Sequence, residues 1–163
     1  MRIYRRILLA SSLAASLFAG VTVRASQLEK KKKKGELVVG ILGTDEPNSF
    51  IDPKTREYIG YEVDLAKEVA AKMGVKPVFK QVAVAARIPE LQQGRIDMLA
   101  ASLTHNKERE AQIDFSLTHL LTGSKVMVKK SSNITDVKQL AGKKALTVKG
   151  GTQGPNLLRA VPN

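Results

Sequence analysis

Ser102-Leu103-Thr104-His105-Asn106-Lys107-Glu108-Arg109, followed by Ile113-Asp114-Phe115-Ser116, is the stretch on which the fold turns. It reads as a strand end, a polar turn, a short helix carrying an arginine, then a further strand. Such a turn gathers two hydroxyls, free backbone N–H groups and a guanidinium. Those are the parts that hold a small carboxylate.

Toward the N terminus the pattern alternates. Ile96–Ala100 is a strand. Ile88–Gln93 is a short helix with Pro89 in its first turn, where a missing N–H costs nothing, and Gly94 ends it. Pro77–Val82 is another strand. Asp64–Met73 is a helix whose Leu65, Val69 and Met73 form one apolar stripe. Gly74 caps it, and Asp64 serves as a charge at the helix start. Glu36–Ile41 is a short apolar run, as expected of a buried strand. The order β-α-β-α-β predicts a mostly parallel α/β sheet with right-handed crossovers. Ligands of such sheets sit beyond the carboxyl ends of the strands. Three loops converge there: Gly43–Phe50, Ala83–Ile88 and Ala101–Arg109.

Toward the C terminus the alternation restarts. Lys125–Val128 reads as an extended strand. Thr135 is placed to cap a helix through Leu140, with Gly142 after it. Ala145–Val148 reads as a strand, and Lys149–Gln153 as a glycine-rich turn into a second helix. One strand-helix unit and a leading strand cannot bury a two-sided sheet alone.

Residues 1–25 read as a cleavable signal peptide: Arg2, Arg5 and Arg6, then an apolar run, then Val23-Arg24-Ala25 before Ser26. An uncleaved anchor is the alternative, although a span needs about 20 apolar residues. The absence of cysteine excludes a lipid-anchored cysteine and any disulfide framework. A soluble periplasmic protein is the simplest expectation. Without residues 1–25 the chain carries 23 basic and 15 acidic side chains, a net +8. Lys30–Lys34 concentrates five of the positive charges, so 26–34 is expected to be a basic, disordered leader. A nucleic-acid patch is the other reading of such a block. With no Trp and only seven Phe and Tyr, stacking partners are scarce and no nucleic-acid partner is expected. His105 and His119 lack paired ligand spacing, so neither a metal nor a cofactor is expected.

Gly60-Tyr61-Glu62-Val63-Asp64-Leu65, continued by Val69, Ala70 and Met73, joins the Ser102–Arg109 turn in a wider pattern. Together they resemble the extracellular solute-binding proteins of family 3, the amino-acid-binding proteins that feed ABC importers. The resemblance runs from about Gly35 to Asn163. It implies a periplasmic-binding-protein-like α/β fold: a parallel-sheet lobe one over 35–122, a hinge crossing over 123–130 and the incomplete start of lobe two over 131–163.

The resemblance also implies roles. Arg109 would pair with the ligand α-carboxylate, where a bidentate fork favours Arg over Lys. Ser102 and Thr104 would contact the α-amino and carboxylate groups. Thr152, with Gln153 beside it, would offer a hydroxyl and a helix N-terminus from lobe two. Phe50 would wall the pocket. Ala86-Arg87-Ile88-Pro89 resembles the segment that aims an arginine at the side-chain carboxylate in glutamate- and aspartate-binding members. An acidic amino acid is therefore the expected ligand, with glutamine a near competitor. The implied partner is an ABC permease at the inner membrane, served by a monomer that is not an enzyme.

Bland readings stand beside these. Arg109 could pair with Glu108 or Glu110 at the surface, Arg87 could be a solvated first-turn residue, and Ser102 and Thr104 ordinary strand-end polar residues. Lys149 aligns with a second-lobe position used by some members, or is only exposed. The sequence also departs from the family pattern. Family proteins are longer by roughly 80–100 residues, enough to complete a second domain. That part normally supplies an Asp for the ligand ammonium. Leu117-Thr118-His119 replaces an acid-Pro-aromatic run, and the lysine block is foreign to the family. A nonfunctional truncated remnant is thus a rival reading. A dehydratase on the same fold would need a general acid beside Arg109, for which His105 is the nearby candidate. A sensory domain would need a membrane span and signalling domain downstream.

Overall fold

Glu36–Ile41 forms β1, the middle strand of a three-stranded sheet in which Lys76–Gln81 (β5) and Met98–Leu99 (β6) flank it. The structure, a computed structural model, describes residues 28–161. The expected signal peptide at 1–25 lies outside the described residues. Residues 28–34 are helical and are called α1. The remaining elements are β2 Thr44–Asp45, β3 Ser49–Ile51, β4 Tyr58–Ile59, α2 Tyr61–Met73, β5 Lys76–Gln81, α3 Arg87–Gln92, β6 Met98–Leu99, α4 Lys107–Glu110 and α5 Gln153–Ala160.

Both neighbours of β1 run parallel to it. β5 pairs from Glu36↔Lys76 to Ile41↔Gln81, and β6 pairs through Val39↔Met98 and Gly40↔Leu99. This is the parallel α/β arrangement that the alternation of elements predicts. Leu37, Val39 and Ile41 of β1 meet Val63, Ala66 and Ala70 of α2, with Val75 and Ala100 closing the core. Burying side chains of this kind contributes about 1.5–3 kcal/mol each for the larger ones. A Cβ on Gly40 would lie 2.6 Å from Ile96 Cδ1, so glycine lets the chain before β6 close on β1. β2, β3 and β4 make a small antiparallel sheet at the loop end.

Several expectations are corrected. α2 begins at Tyr61 rather than Asp64 and ends at Gly74, whose φ of +70° makes the left-handed cap. Its buried face is Val63, Ala66 and Ala70, while Val69 and Met73 pack only partly buried at its margin. β6 is shorter than Ile96–Ala100. Its flanks are nonetheless tied to β1 by Asp97 N–H to Val38 O at 2.7 Å and Ala100 N–H to Gly40 O at 2.9 Å. The lysine block is not a disordered leader within 28–34. It is a helical turn held where Lys31 pairs with Asp97, while Asp97 also accepts the Val38 N–H at 2.9 Å.

Residues 111–152 contain no strand. Ile113–Ser116, Lys125–Val128 and Ala145–Val148, all expected as strands, have no ladder partner, and Met127 and Leu146 are almost fully exposed. An extended segment becomes a strand only when a neighbour takes its N–H and C=O groups. The expected helix through Leu140 is a 3₁₀ turn, Val137–Leu140, capped by Asp136 rather than Thr135. Asp136 accepts the Lys138 N–H, and Gln139 reaches back to the Asp136 N–H, a reciprocal cap. α5 does follow the glycine-rich turn, as the sequence predicts.

Candidate functional site

The carboxyl ends of the three parallel strands and the loops after them line a cavity of about 180 Å³. Leu42 and Asp45 line it from the first loop, Val84 and Arg87 from the second, and Ser102, Thr104 and Arg109 from the third. Val148, Gly151, Thr152 and Gln153 close it from the far side. The three loops expected to converge do converge. Six of the seven residues singled out from sequence share this one cavity: Arg87, Ser102, Thr104, Arg109, Thr152 and Gln153. Phe50 does not line it. It sits in β3, paired across to Thr44 and Ile59. A larger hollow of about 390 Å³ adjoins, lined by Leu42, Thr44, Gln81, Val82, Ala83 and Val84. It carries no charged side chain, so chemistry rather than size selects the smaller one.

Ser102 is the hub. Its φ of +48° lies in the left-handed region, which costs a non-glycine residue about 1–3 kcal/mol unless its surroundings hold it there. Here two buried charged groups hold it. Glu62, in the first turn of α2, accepts the Ser102 N–H at 2.6 Å. Arg87 Nη1 donates to Ala101 O at 2.8 Å and Ser102 O at 3.0 Å. The Ser102 hydroxyl then donates to Asp45 Oδ2 at 2.5 Å. Asn48 Nδ2 donates to the same carboxylate oxygen at 3.2 Å.

Arg87 is 4% exposed, not a solvated first-turn residue. Besides Ala101 and Ser102, it donates from Nε to Val84 O at 2.9 Å and from Nη2 to Gly150 O at 3.2 Å. Four of its five N–H groups therefore face backbone carbonyls. Arg109 is half-buried and more open. Asn106 caps α4 by accepting the Arg109 N–H at 2.9 Å, which fixes the arginine's backbone. Its Nη1 donates to Thr104 O at 2.8 Å and its Nη2 to Gly150 O at 2.9 Å. Three N–H groups of Arg109 have no acceptor among the described residues. Neither Glu108 nor Glu110 pairs with it, and Glu110 lies 3.5 Å from His105 instead.

The charges act on one another. Burial pushes the Glu62 carboxyl above its ordinary range, with the Ser102 N–H opposing and the Asp45 charge adding to the rise. Burial, then the neighbouring Arg109 charge, draws Arg87 below its usual value, while Glu62 and Asp45 oppose the fall. Two guanidiniums thus sense each other across a partly dry cavity, an arrangement that an anion between them relieves. Sequence reading missed Asp45 and Glu62 as members of the site. Glu62 stood inside the Gly60–Leu65 motif, and an acid in a first helical turn that also faces a strand end is the signal it offered.

His105, the candidate general acid, stacks on Phe115 with centroids 4.6 Å apart and does not line the cavity. Among the described residues no cluster of three His, Asp or Glu side chains is arranged to hold a metal ion. The arrangement offers two cations, one anion, three hydroxyls and an amide around a small space.

Comparison with known proteins shows the family of the chain. Residues 37–161 match the family model of the bacterial extracellular solute-binding proteins, family 3. The chain is 36% identical over 139 residues to a glutamine-binding protein of Geobacillus stearothermophilus, covering 83% of this chain and 53% of that one. It is 32% identical to an L-glutamate/L-aspartate-binding protein of Pseudomonas aeruginosa, covering 99% of this chain and 56% of the relative. Among solved structures it is similar to an ancestral amino-acid-binding protein that is a precursor of cyclohexadienyl dehydratase. That match has a TM-score of 0.66 at 34% identity and covers 70% of this chain and 51% of the other. The chain spans a little over half the length of these curated relatives. It belongs to the bacterial extracellular solute-binding proteins, family 3.

Proposed function

We propose that this chain captures an acidic amino acid, glutamate or aspartate, on the outer side of the inner membrane and presents it to an ABC permease. The observation that carries the proposal is the charge pattern of one cavity, which Arg87, Arg109 and Asp45 line together with the hydroxyls of Ser102, Thr104 and Thr152. An acidic amino acid carries two carboxylates and one ammonium, the complement of that pattern. Arg109, with free N–H groups in a fork, suits the α-carboxylate. Arg87 suits the side-chain carboxylate by its charge and its remaining N–H. In this reading residues 1–25 direct export to the periplasm, and the protein acts as a monomer without catalysing a reaction.

Glutamine is the second reading. Four N–H groups of Arg87 already face carbonyls, so an amide oxygen would satisfy the one that remains. The Geobacillus stearothermophilus relative carries glutamine in its name.

Thermal unfolding of the purified chain with glutamate, aspartate, glutamine and lysine tests the proposal. A ligand at 100 times its dissociation constant stabilises the folded state by about 2.7 kcal/mol. A midpoint raised by glutamate or aspartate supports the acidic reading. A midpoint raised by glutamine alone moves the assignment to the second reading. No shift with any of them overturns both.

A further inference from the structure

We propose that the lysine block and the lysines beside it bind the surface of an anionic phospholipid bilayer. Lys30–Lys34 lie in α1, which sits at the amino end of the parallel sheet, where Lys31 pairs with Asp97. Gly35 O accepts the Lys76 N–H at 2.9 Å, and Glu36 stands opposite Lys76 in the ladder, so the block lies beside the start of β5. Lys72, in the last turn of α2, precedes that strand by one short turn. Residues 28–36 and 72–76 together hold seven lysines and two acids. Those acids, Glu29 and Glu36, lie 3.6 Å from Lys32 and Lys34. Lys30, Lys33, Lys72 and Lys76 are exposed and have no carboxylate partner among the described residues.

Like charges crowded on one helical turn repel each other. Here the Lys31–Asp97 pair and the Gly35 backbone bonds hold that turn in place, so the repulsion is relieved only by anions from outside. The chemistry favours a bilayer over a nucleic acid. Neither stretch contains Phe, Tyr or Trp on which a base could stack. Lysine is a hydrated point charge without the flat fork of arginine, which suits a diffuse anionic surface. Leu28, 46% exposed, opens α1, and an exposed leucine among lysines suits a lipid interface. The cavity lies at the opposite ends of the same strands, so docking through this patch leaves it uncovered.

Co-sedimentation of the full chain with phosphatidylcholine vesicles, and with vesicles that also contain phosphatidylglycerol, tests the proposal. The neutral vesicles report apolar insertion, and the ratio of the two affinities reports charge. The wild type is expected to prefer the anionic vesicles, and to lose that preference in molar salt. Replacing Lys30, Lys33, Lys72 and Lys76 together by Gln is expected to weaken anionic-vesicle binding by about 100-fold or more. A control with Lys125, Lys129, Lys143 and Lys144 replaced by Gln carries the same net charge and is expected to lose much less. A loss in the first variant no greater than in the control overturns the proposal, because net charge alone then explains the binding. If the fourfold variant does not fold, Lys30→Gln with Lys33→Gln against Lys143→Gln with Lys144→Gln decides in the same way. A wild type without the anionic preference, or one whose preference survives molar salt, also overturns it. Tighter binding to a short DNA duplex than to the anionic vesicles at the same salt makes the partner a nucleic acid and overturns the bilayer.

Discussion

Arg87 and Arg109 donate to a single acceptor, the Gly150 carbonyl, at 3.2 and 2.9 Å. Two like charges converge on one peptide oxygen near the far end of the strandless stretch. That carbonyl ties residues 148–153 to the carboxyl ends of the sheet and closes the cavity. The arginines thus hold the far wall, and in the proposed function they also offer positive charge to a ligand.

The glycine at that point is required by its conformation. Gly150 has φ +83°, and a Cβ there would lie 2.7 Å from Ala85 Cα. Gly150→Ala is expected to displace the carbonyl from both arginines. The left-handed penalty of about 1–2 kcal/mol corresponds to roughly 10-fold weaker ligand binding. Titration with glutamate measures this, and an unchanged affinity contradicts the closing role.

Arg87 carries structural weight that its family resemblance did not suggest. Arg87→Ala leaves the Ala101 carbonyl, among others, without its donor. Unfolding by urea without ligand is expected to show a loss of at least about 1–3 kcal/mol. The loss of glutamate affinity comes in addition. A variant as stable as wild type would mean that these carbonyl bonds contribute nothing net.

Glu62 gives stability a pH dependence of definite sign. Burial raises its folded-state value above the 4.5 of a free carboxyl. The folded state therefore holds the proton more tightly than the unfolded one, and the Glu62 contribution to stability is greatest below 4.5. It is lost as pH rises through the folded value. Glu62→Gln cannot titrate, so the stability of wild type relative to this variant is expected to fall as pH rises from about 4 to about 7. Urea midpoints across that range measure it, and a flat or rising difference contradicts the assignment.

The two halves of the chain should answer differently to the loss of a leucine-sized side chain. Ile41 is wholly buried in the sheet core, whereas Leu146 is fully exposed. Ile41→Ala is expected to cost about 2–5 kcal/mol. Leu146→Ala should stay within about 0.5 kcal/mol. Equal costs in thermal or urea unfolding would contradict the placement of the core in residues 36–101.

Residues 36–101 are legible in the sequence because their elements obey local rules. β1 is a continuous apolar run, Gly74 is a left-handed cap, and Pro89 sits in a first helical turn. The stripe on α2 was misread because Leu65, Val69 and Met73 outweigh two alanines by hydrophobicity. Small Ala66 and Ala70 let the helix approach the sheet, and they hold the buried face. Segments 125–128 and 145–148 look like strands to propensity alone, but pairing is a property of neighbours, which no local pattern supplies. For the cavity, motif position singles out the arginines and hydroxyls that line it. It missed Asp45 and Glu62 because their roles arise from distance in space: Glu62 is 40 residues from the Ser102 it holds, and Asp45 is 57.

Titration of L-glutamate into the wild-type chain and into Arg109→Ala tests the central claim most directly. Arg109 is the cation with open N–H groups in the cavity, and its loss removes a charge-assisted fork. The account predicts saturable binding by the wild type and none measurable by the variant under the same conditions. An Arg109→Ala chain that binds glutamate as tightly as wild type would contradict it, and would move the ligand to another part of the molecule.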